Sequence, residues 1–493
     1  MSSGFIEKKE HMQNYTYETL PYDHQRVALE DSWFAEYYAL FMEMGTGKTK
    51  VAIDTMAILY EAGRLTSVLI IAPKGVYDNW SKREIPIHLP KRIARKVCRW
   101  VPSKTKRFEE ELTDFIVDKS PCLKIFVMNV EAFSTARGTE AATAFLYQNP
   151  ENMVIVDEST TIKNRKAART KNIMALQKRS KYRRILTGSP VTKSPMDLFS
   201  QCAFLADKSL GFNSYYAFQS RYATIQRRTM GHHSFQQIVG YRRLDELAER
   251  LDSFSNRVLK IDCLDLPAKV YVRRDVELTP EQDRLYRQMK KLALAKLESG
   301  ELATTSSVLT QIMRLQQICC GHLMPDDGEI QLVKSNRLTE LLDMAEELQG
   351  RAIVWATYTY DILKIAEALR NRFGPDSVAT YYGDTPQDER QEIVNAFQDP
   401  ESPLRFFVGQ PKTGGYGITL TAANTVIYFS NSYDLEIRLQ SEDRAHRIGQ
   451  TNKVTYIDLV STGTIDEKIL QALRNKVDIA GQVLREDTAS WLR

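Results

Sequence analysis

The chain has 493 residues, 43% of them hydrophobic and 26% charged, which excludes a disordered or fibrous chain and leaves room for about three domain-sized units. Its net charge of +5 is too small to announce a nucleic-acid binder, so any surface for a polyanion must lie in a local concentration of Lys and Arg. Six scattered cysteines without a Cys-x-x-Cys pair spell neither a disulfide framework nor a zinc site, and a polar amino terminus with no long apolar run predicts a cytoplasmic or nuclear chain that is neither secreted nor membrane-bound.

After a polar tail, residues 22–26 open an amphipathic helix carrying Gln25, whose amide can both give and take hydrogen bonds on one edge of adenine. The apolar run 37–42 reads as a buried strand and is followed by Met44-Gly45-Thr46-Gly47-Lys48-Thr49 and then by apolar residues at near-helical spacing. A glycine-rich turn between strand and helix aims backbone N–H groups and the positive end of the helix dipole at one point, which suits a phosphate. Lys48 is placed to reach the β- and γ-phosphates, and the Thr49 hydroxyl to ligate Mg²⁺. Only the second half of the usual pattern is intact, because Met42 stands where that pattern begins with glycine.

Continuous apolar runs at 68–73, 125–130 and 153–156, with a shorter one at 185–186, predict strands buried on both faces of a parallel sheet, separated by stretches long enough for crossover helices. The run at 153–156 ends in Asp157-Glu158, at the sheet edge where α/β proteins bind ligands. Adjacent acids there are also common turn residues, but the upstream phosphate loop favours Asp157 as a Mg²⁺ ligand through water and Glu158 as the group that orients or deprotonates an attacking water.

Residues 162–184 carry ten Lys and Arg, Lys163 and Arg165 among them, and no acid; a phosphate-backbone surface and a solvated helix face explain this equally well. Leu186-Thr187-Gly188-Ser189-Pro190 reads as a strand end and turn whose hydroxyls sense the γ-phosphate or relay its state to a bound polymer. From 206 to 345 the pattern turns helical and predicts insertions and a connector; His232-His233 and Cys319-Cys320-Gly321-His322 lack metal-site spacing. A second α/β series follows at 352–356, 378–382, 406–408, 426–429 and 454–460, so a single nucleotide at a two-domain cleft is the economical reading.

A helix predicted over 435–448, ended by Gly449, sets Gln440, Arg444 and Arg447 on one face, where arginine can stabilise charge on a transferring phosphoryl group. The glycine-rich turn Thr413-Gly414-Gly415-Tyr416-Gly417 can bring backbone close to a phosphate of nucleic acid or of the nucleotide.

Together these segments resemble the Swi/Snf-type branch of superfamily 2 helicases. The most specific match is Leu439-Gln440-Ser441-Glu442-Asp443-Arg444-Ala445-His446-Arg447-Ile448-Gly449-Gln450, similar to the sixth helicase motif of that branch. The stretches 43–49, 186–190 and 413–421 resemble the first, third and fifth motifs. The resemblance implies an α/β chain of two RecA-like doubly wound parallel-sheet lobes with helical insertions between them. The expected domains are a tail at 1–15, a first lobe at 16–205, a connector at 206–345 and a second lobe at 346–493.

It further implies ATP and Mg²⁺ as cofactors. Gln25, Met44, Gly45, Thr46, Gly47, Lys48, Thr49, Gly415, Gly417 and Gln440 would then border ATP, with Thr49 and Asp157 at the metal and Glu158, Arg444 and Arg447 in catalysis. Lys163, Arg165, Thr187, Gly188, Thr413 and Gly414 are the candidates for nucleic-acid contact. The implied activity is ATP-driven translocation on double-stranded DNA that remodels or displaces bound molecules. A strand-separating DNA or RNA helicase is the alternative, single-stranded DNA or RNA are further candidate partners, and a nucleic-acid-binding module with an inert nucleotide fold is disfavoured by intact Lys48, Glu158 and Arg447. One departure is Asp157-Glu158-Ser159-Thr160 where the branch has Asp-Glu-Ala-His, so coupling carried by that histidine must pass through Thr160 or another group.

Overall fold

The computed structural model describes residues 11–74, 76–103, 105–230, 233–263, 266–298, 305–324, 329–386, 388–414 and 418–484. The expected contacts of Gly415 and Gly417 therefore lie outside the described residues. The chain divides into two compact units, one mainly of residues 11–223 and 241–263, the other mainly of 266–479 together with the segment 224–240.

Strands β1 (Tyr37–Met42), β2 (Ser67–Ala72), β3 (Arg95–Arg99), β4 (Leu123–Asn129), β5 (Asn152–Asp157) and β6 (Tyr182–Leu186) build the first sheet. The chain then forms a two-stranded ribbon, β7 (Ala223–Met230) and β8 (His233–Tyr241), before β9 (Ser255–Val258) returns to pair with β1. The sheet order is β3-β4-β2-β5-β6-β1-β9, and every neighbouring pair is parallel. Strands β2 and β5 are buried along their whole length, which is why they read as unbroken apolar runs. Because β5, β6 and β1 are adjacent and parallel, their carboxyl ends bring 157–158, 187–188 and the phosphate loop to one edge.

The second sheet contains β10 (Lys269–Val276), β13 (Arg351–Trp355), β14 (Val378–Tyr381), β15 (Phe406–Gly409), β16 (Ala423–Tyr428) and β17 (Val454–Ser461), in the order β10-β17-β16-β13-β15-β14 and again parallel. A small antiparallel pair, β11 (His322–Leu323) with β12 (Gln331–Leu332), follows a helical pair at Pro280–Glu298 and Thr305–Cys320. No helix among the described residues is long and apolar enough to cross a membrane.

The stretch 206–345, expected to be helical, thus supplies an edge strand to each sheet. Both β9 and β10 are edge strands with one neighbour, and half-exposed edges need few apolar residues, so they carry no apolar run to betray them.

Charged groups buried in these units bind the chain to itself. Arg337 has no exposed surface; it donates to Phe429 O and Ser461 Oγ, each at 2.8 Å, and pairs with buried Asp466. The basic run 162–184 is likewise not one surface. Arg184 is fully buried and donates to the carbonyls of Ser32 and Ala35, both at 2.7 Å, while Lys181 pairs with Glu151. Arg165, in contrast, is half-buried with its guanidinium 4.2 Å from the ring centre of Tyr215.

Replacing Arg184 by Met strands carbonyls in the core of the first unit, so Arg184→Met is expected to cost roughly 2–4 kcal/mol. Arg165→Met loses two partly exposed cation–π contacts, to Tyr215 and Tyr216, and is expected to cost about 1 kcal/mol. Urea denaturation of both variants beside the parent measures the contrast, and equal losses would place the two arginines in the same role.

Candidate active site

The phosphate loop is shaped by two glycines in the left-handed region, Gly45 at φ +89° and Gly47 at φ +91°. Gly47 is required twice over, because a Cβ there would stand 2.1 Å from Gln25 Nε2. Gln25 is buried against the loop; its Nε2 donates to Thr46 O at 3.1 Å and its Oε1 accepts from Tyr22 N at 3.1 Å. Thr46 closes the turn through its own N and Oγ1, which donate to Glu43 O at 3.2 and 2.8 Å. Lys48 and Thr49 then open the helix Lys48–Glu61.

Lys48 and Glu158 are both buried, with Lys48 Nζ 3.7 Å from Glu158 Oε1. Glu158 adopts φ +47°, ψ +61°, a left-handed conformation that is uncommon for a side-chain-bearing residue and turns its carboxylate off the line of β5. Thr187 Oγ1 lies 3.5 Å from its other oxygen, Oε2. Asp157 accepts from Glu158 N at 3.0 Å and, through Oδ2, from the Trp80 indole at 2.8 Å. Burial holds the Asp157 carboxyl above its ordinary range, against the opposing charge of Lys48 and those two hydrogen bonds.

Two residues expected at nucleic acid sit behind this cluster. Thr187 is buried, and a Cβ on Gly188 would stand 3.1 Å from Met44 N, so both face the phosphate loop. They follow β6, which packs beside β1, and Gly188 is half-buried there. Lys163 Nζ donates to Thr192 Oγ1 at 2.8 Å.

Trp80, Arg257 and Lys260 carry no sequence motif recognised above. Trp80 starts a π-helical turn, Trp80–Glu84, and is buried directly on the metal-ligand candidate. Arg257 of β9 donates to Phe41 O at 3.0 Å and Gly188 O at 2.9 Å, and Glu43 accepts from Lys260 N at 2.7 Å. The only available signal for Trp80 is an aromatic residue soon after the proline that ends β2.

The second unit holds the other cluster. Its helix starts at Leu435, as expected, but ends at Glu442, so Gln440, Arg444 and Arg447 do not share one helical face. The cause lies in partners far along the chain. Arg444 O accepts from Leu420 N at 2.9 Å and Ala445 O from Gln450 Nε2 at 3.1 Å, which removes these carbonyls from a helical ladder. Gly449 at φ +99° falls in the turn beyond.

Arg444 is fully buried and donates to Gln440 O and Ile418 O, both at 3.1 Å. Arg447 is half-buried and donates to Thr419 Oγ1 at 3.1 Å. Gln440 is buried, with Nε2 3.5 Å from Glu436 Oε1. Glu442 pins the helix by accepting from Arg438 Nε at 2.8 Å and from the Tyr271 hydroxyl of β10 at 2.7 Å. Thr413 Oγ1 donates to Gln410 Oε1 at 3.1 Å. Gly414 is buried where a Cβ would meet the Trp355 ring at 2.6 Å, so its small size serves packing.

Residues 38–324 match the SNF2-related domain, and residues 333–449 match the helicase conserved C-terminal domain. A probable ATP-dependent DNA helicase, CHR23 of Arabidopsis thaliana, is 28% identical over 458 residues, which is 90% of this chain and 41% of that protein. A putative ATP-dependent helicase/translocase, YwqA of Bacillus subtilis, is 28% identical over 463 residues, 91% of this chain and 46% of that one. The chain thus spans less than half the length of these relatives. The solved SWI2/SNF2 ATPase core of Sulfolobus solfataricus in complex with dsDNA is 24% identical, covers 97% of this chain and 95% of its own, and has a TM-score of 0.42.

Trp80→Phe keeps the apolar volume but removes an N–H from Asp157, which raises further a carboxyl already held high by burial. A raised acid favours the folded state when protonated and gives up that contribution as pH rises through its folded value, whereas a cation at Asp157 needs the ionised form. Trp80→Phe is therefore expected to need about tenfold more Mg²⁺ for half-maximal ATP hydrolysis at the lower of two pH values, with the gap narrowing at the higher, because a hydrogen bond to a charged group is worth about 1.5–3 kcal/mol. A Mg²⁺ titration at both pH values measures it; a gap independent of pH would assign the indole a packing role alone.

Proposed function

The chain belongs to the SNF2-related family of ATP-dependent helicases, and from that membership we propose that it hydrolyses ATP with Mg²⁺ to move along double-stranded DNA, displacing or remodelling what is bound there. The observation that carries the reading is the buried Lys48–Glu158 pair, 3.7 Å apart at the phosphate loop, because an inert nucleotide fold has no need to bury a cation and a carboxylate there.

In this reading the loop N–H groups and Lys48 hold the β- and γ-phosphates, which separates Lys48 from Glu158 and leaves that carboxylate to take a water proton. Thr49 and Asp157 would hold Mg²⁺: the first offers a hydroxyl at the helix start, the second a carboxylate braced by Trp80. The metal supplies charge neutralisation on the phosphates. Arg447, less enclosed than Arg444, is assigned to the transferring phosphoryl group. Arg444 braces the turn that carries it, through Gln440 O and Ile418 O. Thr187, 3.5 Å from Glu158, takes the coupling role of the missing histidine, since the turn beyond it leads to Thr192, the partner of Lys163. Arg165, stacked on Tyr215 and Tyr216, and Lys163 are assigned to the DNA backbone.

Glu158→Gln is expected to bind ATP like the parent and to abolish turnover, whereas Lys48→Ala weakens binding itself. Arginine fingers are worth about 10³–10⁵ in rate, so Arg447→Ala is expected to slow single-turnover hydrolysis at saturating duplex DNA by at least about 10³ with a much smaller change in affinity. Hydrolysis by Arg447→Ala at the parent rate would remove it from the reaction.

Duplex DNA is expected to stimulate the parent enzyme, and rising salt to suppress that stimulation. A third strand should be displaced from a triplex while the underlying duplex stays paired. Unwinding of a blunt duplex would instead establish strand separation.

A further inference from the structure

The ribbon of β7 and β8 plays no part in the chemistry above. It is a sheet of two strands, and neither pairs with another strand among the described residues. Such a pair is marginal in water unless something covers it. Among its described side chains Gln226, Arg227, Ser234, Gln236 and Gln237 are exposed, Val239 is 47% exposed, and Ile225 and Ile238 are half-buried.

Within the strands themselves the charge has one sign, whereas Arg221 at the foot is paired with Glu246. Between Asp207 and Asp245 the chain has six Lys and Arg residues and no acid. The ribbon is also firmly rooted. Arg242 N donates to Tyr222 O at 2.9 Å, and buried Tyr222 donates its hydroxyl to Glu246 at 3.0 Å.

We propose that this ribbon is a duplex-DNA-contacting element that lies in the major groove, with Arg227 at the phosphates and the exposed glutamines at base edges. The proposal rests on the DNA reading above and adds a site to it. The major groove, about 12 Å wide, admits a two-stranded ribbon, and glutamine and arginine are the side chains that pair with its base edges. Charge complementarity selects a polyanion over a protein partner, and exposed amides suit base edges better than a lipid surface.

The test places a photo-crosslinking benzoylphenylalanine at Gln237 of the full chain and, separately, at Tyr216, which is 66% exposed beside Arg165. Each protein is irradiated with a 30-base-pair duplex or the matching single strand, and ATP hydrolysis is measured with each. Crosslinking from position 237 to the duplex, well above that to the single strand, is the expected result. Crosslinking from position 216 alone would overturn the ribbon proposal and leave the DNA reading standing. Crosslinking from 237 to the single strand only would also overturn it, and silence at both positions without duplex stimulation would remove the DNA reading as well. A second measurement needs no change in the ribbon backbone: Arg227→Gln is expected to keep basal hydrolysis while the slope of log affinity for the duplex against log salt falls by about 0.9, the loss of one phosphate contact. An unchanged slope would remove Arg227 from the contact.

Discussion

Two acids at the end of β5 are kept almost out of water, and charge is expensive to bury, so much of the first unit is arranged to compensate for them. Lys48 answers Glu158 from the loop, Trp80 answers Asp157 from a π-helical turn, and Thr187 reaches the remaining oxygen of Glu158 from β6. Removing any of these leaves a buried carboxylate less well matched. The left-handed backbone at Glu158 is part of the same arrangement, because a regular continuation of β5 would point consecutive side chains to opposite faces.

The second unit meets the same constraint with a different device. Arg438 lies over the Tyr428 ring and pairs with Asp458 and Glu442. Glu442 is held below its usual range there: burial alone would raise it, but Lys269, Arg438 and the Tyr271 hydroxyl outweigh burial. A network of this kind fixes one geometry, since each member is costly to leave unpaired. It ties the helix starting at Leu435 to β10 and β17 and so sets where the arginine-bearing turn begins.

Much of this was legible in the amino-acid order. Strands β1, β2, β4 and β5 announce themselves as apolar runs because both faces are buried, and the phosphate loop because its glycines are forced by backbone shape. What stayed hidden depends on partners distant in the chain. β9 is polar and short, yet its Arg257 holds Phe41 and Gly188, more than 60 residues away in each case. The end of the helix at Glu442 could not be read from 435–450 alone, because the groups that take its carbonyls include the N–H of Leu420. The basic run 162–184 hides a core residue for a related reason: Arg184 looks like its neighbours in composition, and only the carbonyls of Ser32 and Ala35 make it a core residue.

That early end of the helix has a mechanical side. A residue on a helix moves as the helix moves, with its angular position set by a fixed pitch of about 100° per residue. Arg447 hangs instead from a turn held by the Gln450 amide, which grips Thr421 O, Ala423 O and Ala445 O. Its guanidinium is therefore indexed to the strand beginning at Ala423 rather than to the helix that precedes it. Small rotations of that helix, such as Gln440 would follow, leave Arg447 where the sheet puts it, so the two residues can move separately.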